Sequence, residues 1–334
     1  MKRQRGFTLI EMVIAVAIMA LSLIILAPIF GKFLAAMSRN HAEQAKLDNM
    51  RIADAMLAVS QNEGLGVLPA PYTGGGLNSA IVNTADNSAV GIAFRQSLAE
   101  SGITPTAIND DGTDARNARV YQRLSGLQLS TPLYFRSGPL VTLTYDYGVV
   151  YLTRCPAADS SCKASGRPGA SQTMTAANRQ TWEVAGTDLA PVFVSSLPVQ
   201  KSMLAATTRR VDRVRDALLS YYRGKQLTAN ATDTTNWYPG AGLGGAAPAS
   251  NQGCRDGWYP LDSSDVLPLA GLSQGEFGRT SWGGRIEYCR DFDPAASKSA
   301  NAPPHAAAIR FRSDISQGAA PDAAVLGNNV ILTL

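Results

Sequence analysis

Residues 7–30 read FTLIEMVIAVAIMALSLIILAPIF, an apolar run in which Glu11 is the only charged residue. As a helix, this run rises about 36 Å, enough to cross the hydrocarbon core of a bilayer. The hexapeptide MKRQRG precedes it, with Lys2, Arg3 and Arg5. Positive-inside bias keeps that end in the cytoplasm and sends the chain after Phe30 outward. A secretory signal peptide fits poorly, because the run is too long and no small-x-small site closes it. A plain anchor leaves Glu11 unexplained, since a carboxylate inside an apolar helix costs roughly 2–3 kcal/mol.

The basic leader also accounts for most of the formal charge of +4; the rest of the chain carries 27 basic and 26 acidic side chains. No field large enough to hold a phosphate backbone remains, so nucleic acid is not indicated as a partner. At 45% hydrophobic and 17% charged, the 334 residues suit one large ordered domain or two smaller ones. Glycine (30) and proline (18) point to long loops.

The stretch RGFTLIEMVIAVAIMALSL resembles the class III signal of type IV prepilins and of type II secretion pseudopilins: a short basic leader, Gly6, Phe7, and a glutamate four residues on. The resemblance covers about thirty residues. It implies that a prepilin peptidase cuts between Gly6 and Phe7 on the cytoplasmic side and methylates the new amine of Phe7. It also implies that Glu11 meets the Phe7 amine of an adjacent subunit and sets axial register. In low dielectric, two such charges gain strongly by pairing and each alone is costly. Pro28, where many pilins also carry proline, removes a backbone donor and is expected to kink or loosen the helix.

After Pro28 the pattern turns amphipathic. Leu47, Met50 and Leu57 are spaced for one face, with Ile52, Met56 and Val59 beside it. One helix is expected from about Phe7 to about Gln61. Residues 65–120 read as loops with short elements. LVTLTYDYGVVYLTRC (140–155) reads as a hairpin ending at Cys155, and TWEV (181–184) and PVFVSSL (191–197) as further strands. A second helix spans about 200–223, with Leu204, Val211, Val214, Leu218 and Tyr221 in a stripe and Gly224 as its stop. Strands are expected at RIEYC (285–289), AAIRF (307–311) and NVILTL (329–334).

RIADAML (51–57) aligns without gaps on RVRDALL (213–219), which suggests an internal duplication. The expected architecture is α+β and pilin-like. Residues 1–6 are the leader, 7–30 the membrane and filament-core helix, and 31–198 and 199–334 two tandem modules, each packing a helix on an antiparallel sheet.

Four cysteines, Cys155, Cys162, Cys254 and Cys289, include no C-x-x-C pair, and only His41 and His305 could supply imidazole. A metal site is therefore poorly supported, and two disulfides in an oxidising compartment fit better. Pairing Cys155 with Cys162 and Cys254 with Cys289 is the favoured arrangement; four cysteines admit three connectivities, and sequence does not select among them.

Three patterns invite a reading as chemistry. GLSQG (271–275) matches the G-x-S-x-G nucleophile pattern, with Asp291 and His305 following Ser273 in triad order. Pro268 interrupts the strand such a motif needs, and too little chain follows for an α/β-hydrolase, so no catalytic residue is assigned. Asn109, Asp111 and Asp114 around Gly112 could ligate calcium, but the spacing is not that of an EF-hand and a solvated turn explains it. Tyr221, Tyr222, Trp237, Tyr238, Trp258, Tyr259 and Trp282 concentrate in the second half. Beside Gly- and Asn-rich loops, such rings form a core, a sugar-binding surface or a partner interface.

These readings converge on a structural subunit of a type IV pilus, not an enzyme and without cofactor. It is expected to be a minor subunit at a tip or at assembly initiation, because a large head is bulky on every subunit of a thin fibre. A type II secretion pseudopilin and a major pilin are the alternatives, followed by a membrane-anchored hydrolase and a lectin-like adhesin. The expected partners are other pilin subunits, prepilin peptidase, the inner-membrane assembly machinery and a host or surface receptor. The chain would reside in the inner membrane before assembly and in an extracellular pilus afterwards.

Overall fold

A computed structural model describes residues 32, 43–71, 86–104, 119–134, 136–152, 174–182, 191–230, 232–240, 243, 251–295 and 305–334. Within them the fold is mixed α+β, with two antiparallel sheets of three and four strands.

Helix α1, described over residues 43–62, enters first. Its buried stripe is Ile52, Ala53, Ala55, Met56 and Val59, whereas Leu47 and Met50 are about half exposed. The inward face is thus the one that sequence spacing placed second. The expected Phe7–Phe30 span lies outside the described residues, and among those described no helix is long and apolar enough to cross a membrane.

Helix α2 (Ala89–Glu100) occupies part of the region expected to hold loops with short elements. The Ser88 hydroxyl accepts the Gly91 N–H at 3.1 Å and starts it. Its apolar periodicity is weak, and only Gly91, Phe94 and Leu98 are buried. Phe94 and Leu98 join the α1 stripe, Leu68, Tyr121, Val150 and Val194 in one core.

The first sheet has the order β1-β2-β3. β1 (Arg119–Tyr134) and β2 (Ser137–Leu152) form a long antiparallel pair, and β3 (Val192–Ser195) adds to β2. Residues 140–152 of the expected hairpin are therefore part of a single strand, and 153–155 lie outside the described set. Gly148 within it serves packing: a Cβ there would lie 2.8 Å from the Tyr121 ring and 3.1 Å from Val194. Glycine permits close packing at this point. β1 is masked in the sequence by Gly126, whose φ of 74° accompanies a register shift between Leu124 and Leu127, and by Pro132. Thr181 and Trp182 lie in a turn and irregular backbone, not a strand; residues 183–184 lie outside the described set.

Helix α3 (Leu197–Gln226) begins with proline in its first turn, where a missing N–H is harmless. It runs past Gly224, so that glycine is not its stop. Leu204, Val211, Val214 and Leu218 are buried as the stripe predicts, and Tyr221 sits at its edge, half buried. The second sheet follows in the order β4-β5-β6-β7: Tyr259–Pro260, Glu287–Cys289, Ala308–Arg312 and Asn329–Thr333.

The far end of the β1–β2 pair packs with α3 and the second sheet. Leu133, Val141 and Leu143 share a core with Val211, Leu218, Ile286, Ile309 and Phe311. Tyr134 Oη donates to Asp212 at 2.8 Å, and the Thr142 N–H donates to the Ser313 carbonyl at 2.9 Å. In RIADAML and RVRDALL, Ile52 and Met56 are buried at the positions matched by Val214 and Leu218, and Arg51 and Asp54 are exposed like Arg213 and Asp216.

The exit from α1 is held by residues distant in sequence. Gln200 Nε2 donates to the Gly66 carbonyl at 2.9 Å, and its Oε1 accepts the Trp282 indole N–H at 2.7 Å and the Ser316 hydroxyl at 3.2 Å. Gly66 has φ +84°, and a Cβ there would collide with the Gln200 amide. The Asp146 carboxylate accepts the Leu68 N–H at 3.0 Å, Arg123 donates to the Leu68 carbonyl, and Tyr121 Oη donates to the Pro69 carbonyl at 3.0 Å. Burial raises the Asp146 pKa, opposed by Arg123 and the backbone N–H donors.

Candidate functional site

The residues expected to act in processing and assembly, Gly6, Phe7, Glu11 and Pro28, lie outside the described residues, as do Cys155, Cys162 and the Asn109–Asp111–Asp114 group. What is described is the body they would carry and the helix, α1, through which they would carry it. Among the described residues no cluster of His, Cys, Asp or Glu is arranged to hold a metal ion.

Cys254 and Cys289 form a disulfide, with Cα atoms 5.8 Å apart. It ties the segment before β4 to the end of β5 and packs with Trp258, Phe292 and Ala308. Beside it the Arg310 guanidinium is fully buried. Its Nε lies 2.7 Å from Glu287 Oε2, its Nη1 2.6 Å from Gln252 Oε1, and it rests 4.4 Å above the Trp258 ring. Burial pulls the Arg310 pKa down while the Glu287 charge opposes the shift. A buried cation satisfied on three sides is a structural tie.

Ser273, Asp291 and His305 are not assembled into a triad. Ser273 is exposed and precedes a four-residue helical turn, Gln274–Phe277. His305 Nε2 hydrogen-bonds the Thr234 carbonyl at 2.8 Å, and Asp291 lies 3.6 Å from Arg255. Residues 266–269, where a nucleophile-bearing strand would run, form a helical turn.

The aromatic residues divide into two groups. Trp258, Trp282 and Tyr238 are buried and hold the body together. Trp258 lies under Arg310, Trp282 bonds Gln200, and the Tyr238 ring packs tilted against Tyr222 with centroids 4.5 Å apart. Trp237 and Tyr221 instead line an open cleft of about 450 Å³ with Lys225, Asn236, Asp265 and Arg290. A second cleft of about 310 Å³ adjoins it, shares Tyr221 and Leu269, and is lined by Arg213, Asp216 and Ser220.

The loop that presents Trp237 is held stiffly. Asn236 Nδ2 donates to the Arg290 carbonyl at 3.1 Å, and Arg290 Nη2 donates back to the Asn236 carbonyl at 2.7 Å. Asn236 Oδ1 accepts the Tyr238 N–H at 3.0 Å, and Tyr288 Oη donates to the Pro239 carbonyl at 3.0 Å. A Cβ on Gly240 would strike the Arg290 guanidinium at 2.4 Å. Sequence reasoning found the rings but not Asn236, Arg290 or Lys225, which no local motif marks, nor Gln200, whose partners are scattered along the chain.

Residues 1–27 match the prokaryotic N-terminal methylation motif. This segment is a type IV pilin-like class III signal peptide, of the kind carried by the pilin and pseudopilin substrates of prepilin peptidase. No curated protein and no solved structure matches the chain.

Proposed function

We propose that the chain is a minor structural subunit of a type IV pilus, placed at a tip or at assembly initiation. The observation that carries this reading is the methylation motif at residues 1–27, joined through α1 to a large two-sheet body. Prepilin peptidase cuts after Gly6 and methylates Phe7, and Glu11 pairs with the Phe7 amine of the neighbouring subunit. The helix begun at Phe7 runs through Pro28 into α1, crossing the inner membrane before assembly and lying in the filament core afterwards. The body faces the periplasm and then the exterior.

The body is read as two pilin-like modules, the second begun by α3. Support comes from the alignment of RIADAML with RVRDALL and the matching burial of Ile52 and Met56 with Val214 and Leu218. The role is structural and not catalytic, a reading favoured by the separate engagements of His305 and Asp291 away from Ser273. Its partners are other pilin subunits and the assembly machinery.

A type II secretion pseudopilin would share the same N-terminus, and a major pilin would differ only in abundance. Mass spectrometry of the N-terminus in envelope and sheared-filament fractions separates these readings. A chain that starts at methylated Phe7 and is scarce in filaments is the expected result. The same chain in abundance makes it a major subunit, and its absence from surface filaments favours the pseudopilin. An uncut Met1 start in cells with active peptidase overturns the assignment.

A further inference from the structure

Trp237 and Tyr221 expose ring surface to the larger cleft, and neither the indole N–H nor the phenolic O–H has a hydrogen-bond partner among the described residues. This is unusual within the molecule, because Trp258 and Trp282 both donate their N–H groups to protein carbonyl oxygens. An aromatic platform with a free donor at its edge suits a ligand that has a C–H face and hydroxyls around its rim. A pyranose ring has both.

The charges around the two clefts are unequally engaged. Arg213, Tyr221 and Lys225 stand at four-residue multiples along α3, with Ala217 between the first two, so they follow one side of the helix. Lys225 lies 5.6 Å over the Tyr221 ring, and neither Lys225 nor Arg213 forms an ion pair among the described residues. Of the nearby acids, Asp216 lies 3.6 Å from Arg215, which Asp212 also approaches at 3.7 Å, and Asp265 is engaged. Arg290 is fixed on the Asn236 carbonyl. Lys225, Arg290 and Arg213 against Asp265 and Asp216 leave the described lining of the groove net positive.

Twelve residues of helix separate Arg213 from Lys225, a rise of about 18 Å. That exceeds one sugar ring and matches two adjoining clefts joined at Tyr221. A phosphate ligand fits less well, because neither cleft is lined by the start of a long helix. An acyl chain would leave the Lys225 and Arg213 charges along its path.

We propose that this groove binds an acidic oligosaccharide, stacking a sugar on Trp237 and Tyr221 and placing carboxylates at Lys225 and Arg213. The site is independent of the pilus assignment, since it needs only the folded body.

The test is calorimetric titration of the full chain in a polyoxyethylene detergent, which contributes no sugar. The probes are tetrasaccharides of galacturonate, mannuronate and alternating glucuronate, and a sialylated tetrasaccharide, each beside its neutral methyl ester. At least one acid is expected to bind and its ester to bind about tenfold more weakly. Trp237→Ala should weaken the acid at least about tenfold. Lys225→Met should weaken the acid part of the way toward its ester, because Arg213 still meets a carboxylate, and Lys225→Met with Arg213→Met should bring it down to the level of the ester. Trp237→Phe keeps a ring and is expected to retain most of the affinity, which guards against misreading an unfolded variant. Failure of every acid to bind, equal binding of acid and ester, or binding unaffected by Trp237→Ala overturns the proposal.

Discussion

The indole N–H of Trp282 donates to the side-chain oxygen of Gln200 at 2.7 Å across 82 residues of sequence. The same carboxamide holds the Gly66 carbonyl and the Ser316 hydroxyl, and Ser316 in turn accepts the Thr144 N–H at 3.0 Å. One buried side chain thus joins the exit of α1, helix α3, the loop before β5, the turn before β7 and, through Ser316, strand β2.

Gln200→Leu leaves the Trp282 N–H and the Gly66 carbonyl buried and unpaired. Each such group costs about 1–3 kcal/mol, so the variant should be destabilised by roughly 2–6 kcal/mol. Trp282→Phe removes one donor and a little ring volume and should cost less. Urea denaturation of the two variants checks this, and equal losses would show that Gln200 acts through Trp282 alone.

Glu287→Ala strands the fully buried Arg310 guanidinium. Breaking such a pair from one side costs about 3–5 kcal/mol, whereas replacing both partners by apolar residues of similar volume is often near neutral. The double variant Glu287→Leu/Arg310→Met is therefore expected to be more stable than Glu287→Ala. The ordering of their denaturation midpoints decides the point.

Asp322 accepts hydrogen bonds from Asn328 Nδ2 at 2.8 Å and from the Val325 and Ala324 N–H groups, with Arg312 3.7 Å away. These donors, Asn328 first, lower its pKa from 3.8 to about 2. A depressed carboxyl contributes stability above its unfolded pKa and loses it as pH falls through the folded value. The advantage of the wild type over Asp322→Asn should be constant above about pH 5 and shrink toward pH 2. A difference independent of pH would mean that the bonds do not favour the charged form.

Glu11→Val should enter the membrane normally, since it only raises the hydrophobicity of the run. On the proposed pairing, loss of the carboxylate leaves the Phe7 amine without its partner, at a cost of about 3 kcal/mol. Incorporation into filaments should fall by roughly a hundredfold relative to wild type. Immunoblots of membrane and sheared fractions measure both quantities, and normal incorporation sinks the pairing.

Elements that bury one continuous stripe could be read from the sequence. The α3 residues Leu204, Val211, Val214 and Leu218 are buried at helical spacing; β3, β5 and β7 fall within the segments read as strands, and β6 overlaps its segment and extends one residue past it. The first sheet is harder to read because its glycines serve packing and a bulge. Gly148 admits the Tyr121 ring into the middle of β2, and Gly126 breaks the alternation of β1. In α1 both candidate faces carry large apolar residues, and only the neighbours Phe94, Leu98 and Tyr121 determine that Ile52 and Met56 turn inward. The cleft is half legible. Its rings are visible as a cluster, but the loop that aims Trp237 depends on Arg290, more than fifty residues away.

The anchorage just beyond α1 bears on how a tethered body responds to pulling. Gly66, Leu68 and Pro69 are gripped in succession by Gln200, Asp146 with Arg123, and Tyr121. Force arriving along the helix meets these bonds within four residues, and they lead into both sheets. The load is thereby shared in parallel instead of being borne by one bond after another. A body mounted this way should follow its stalk without swivelling, so the direction in which Trp237 and Lys225 face would be fixed by the helix that carries them.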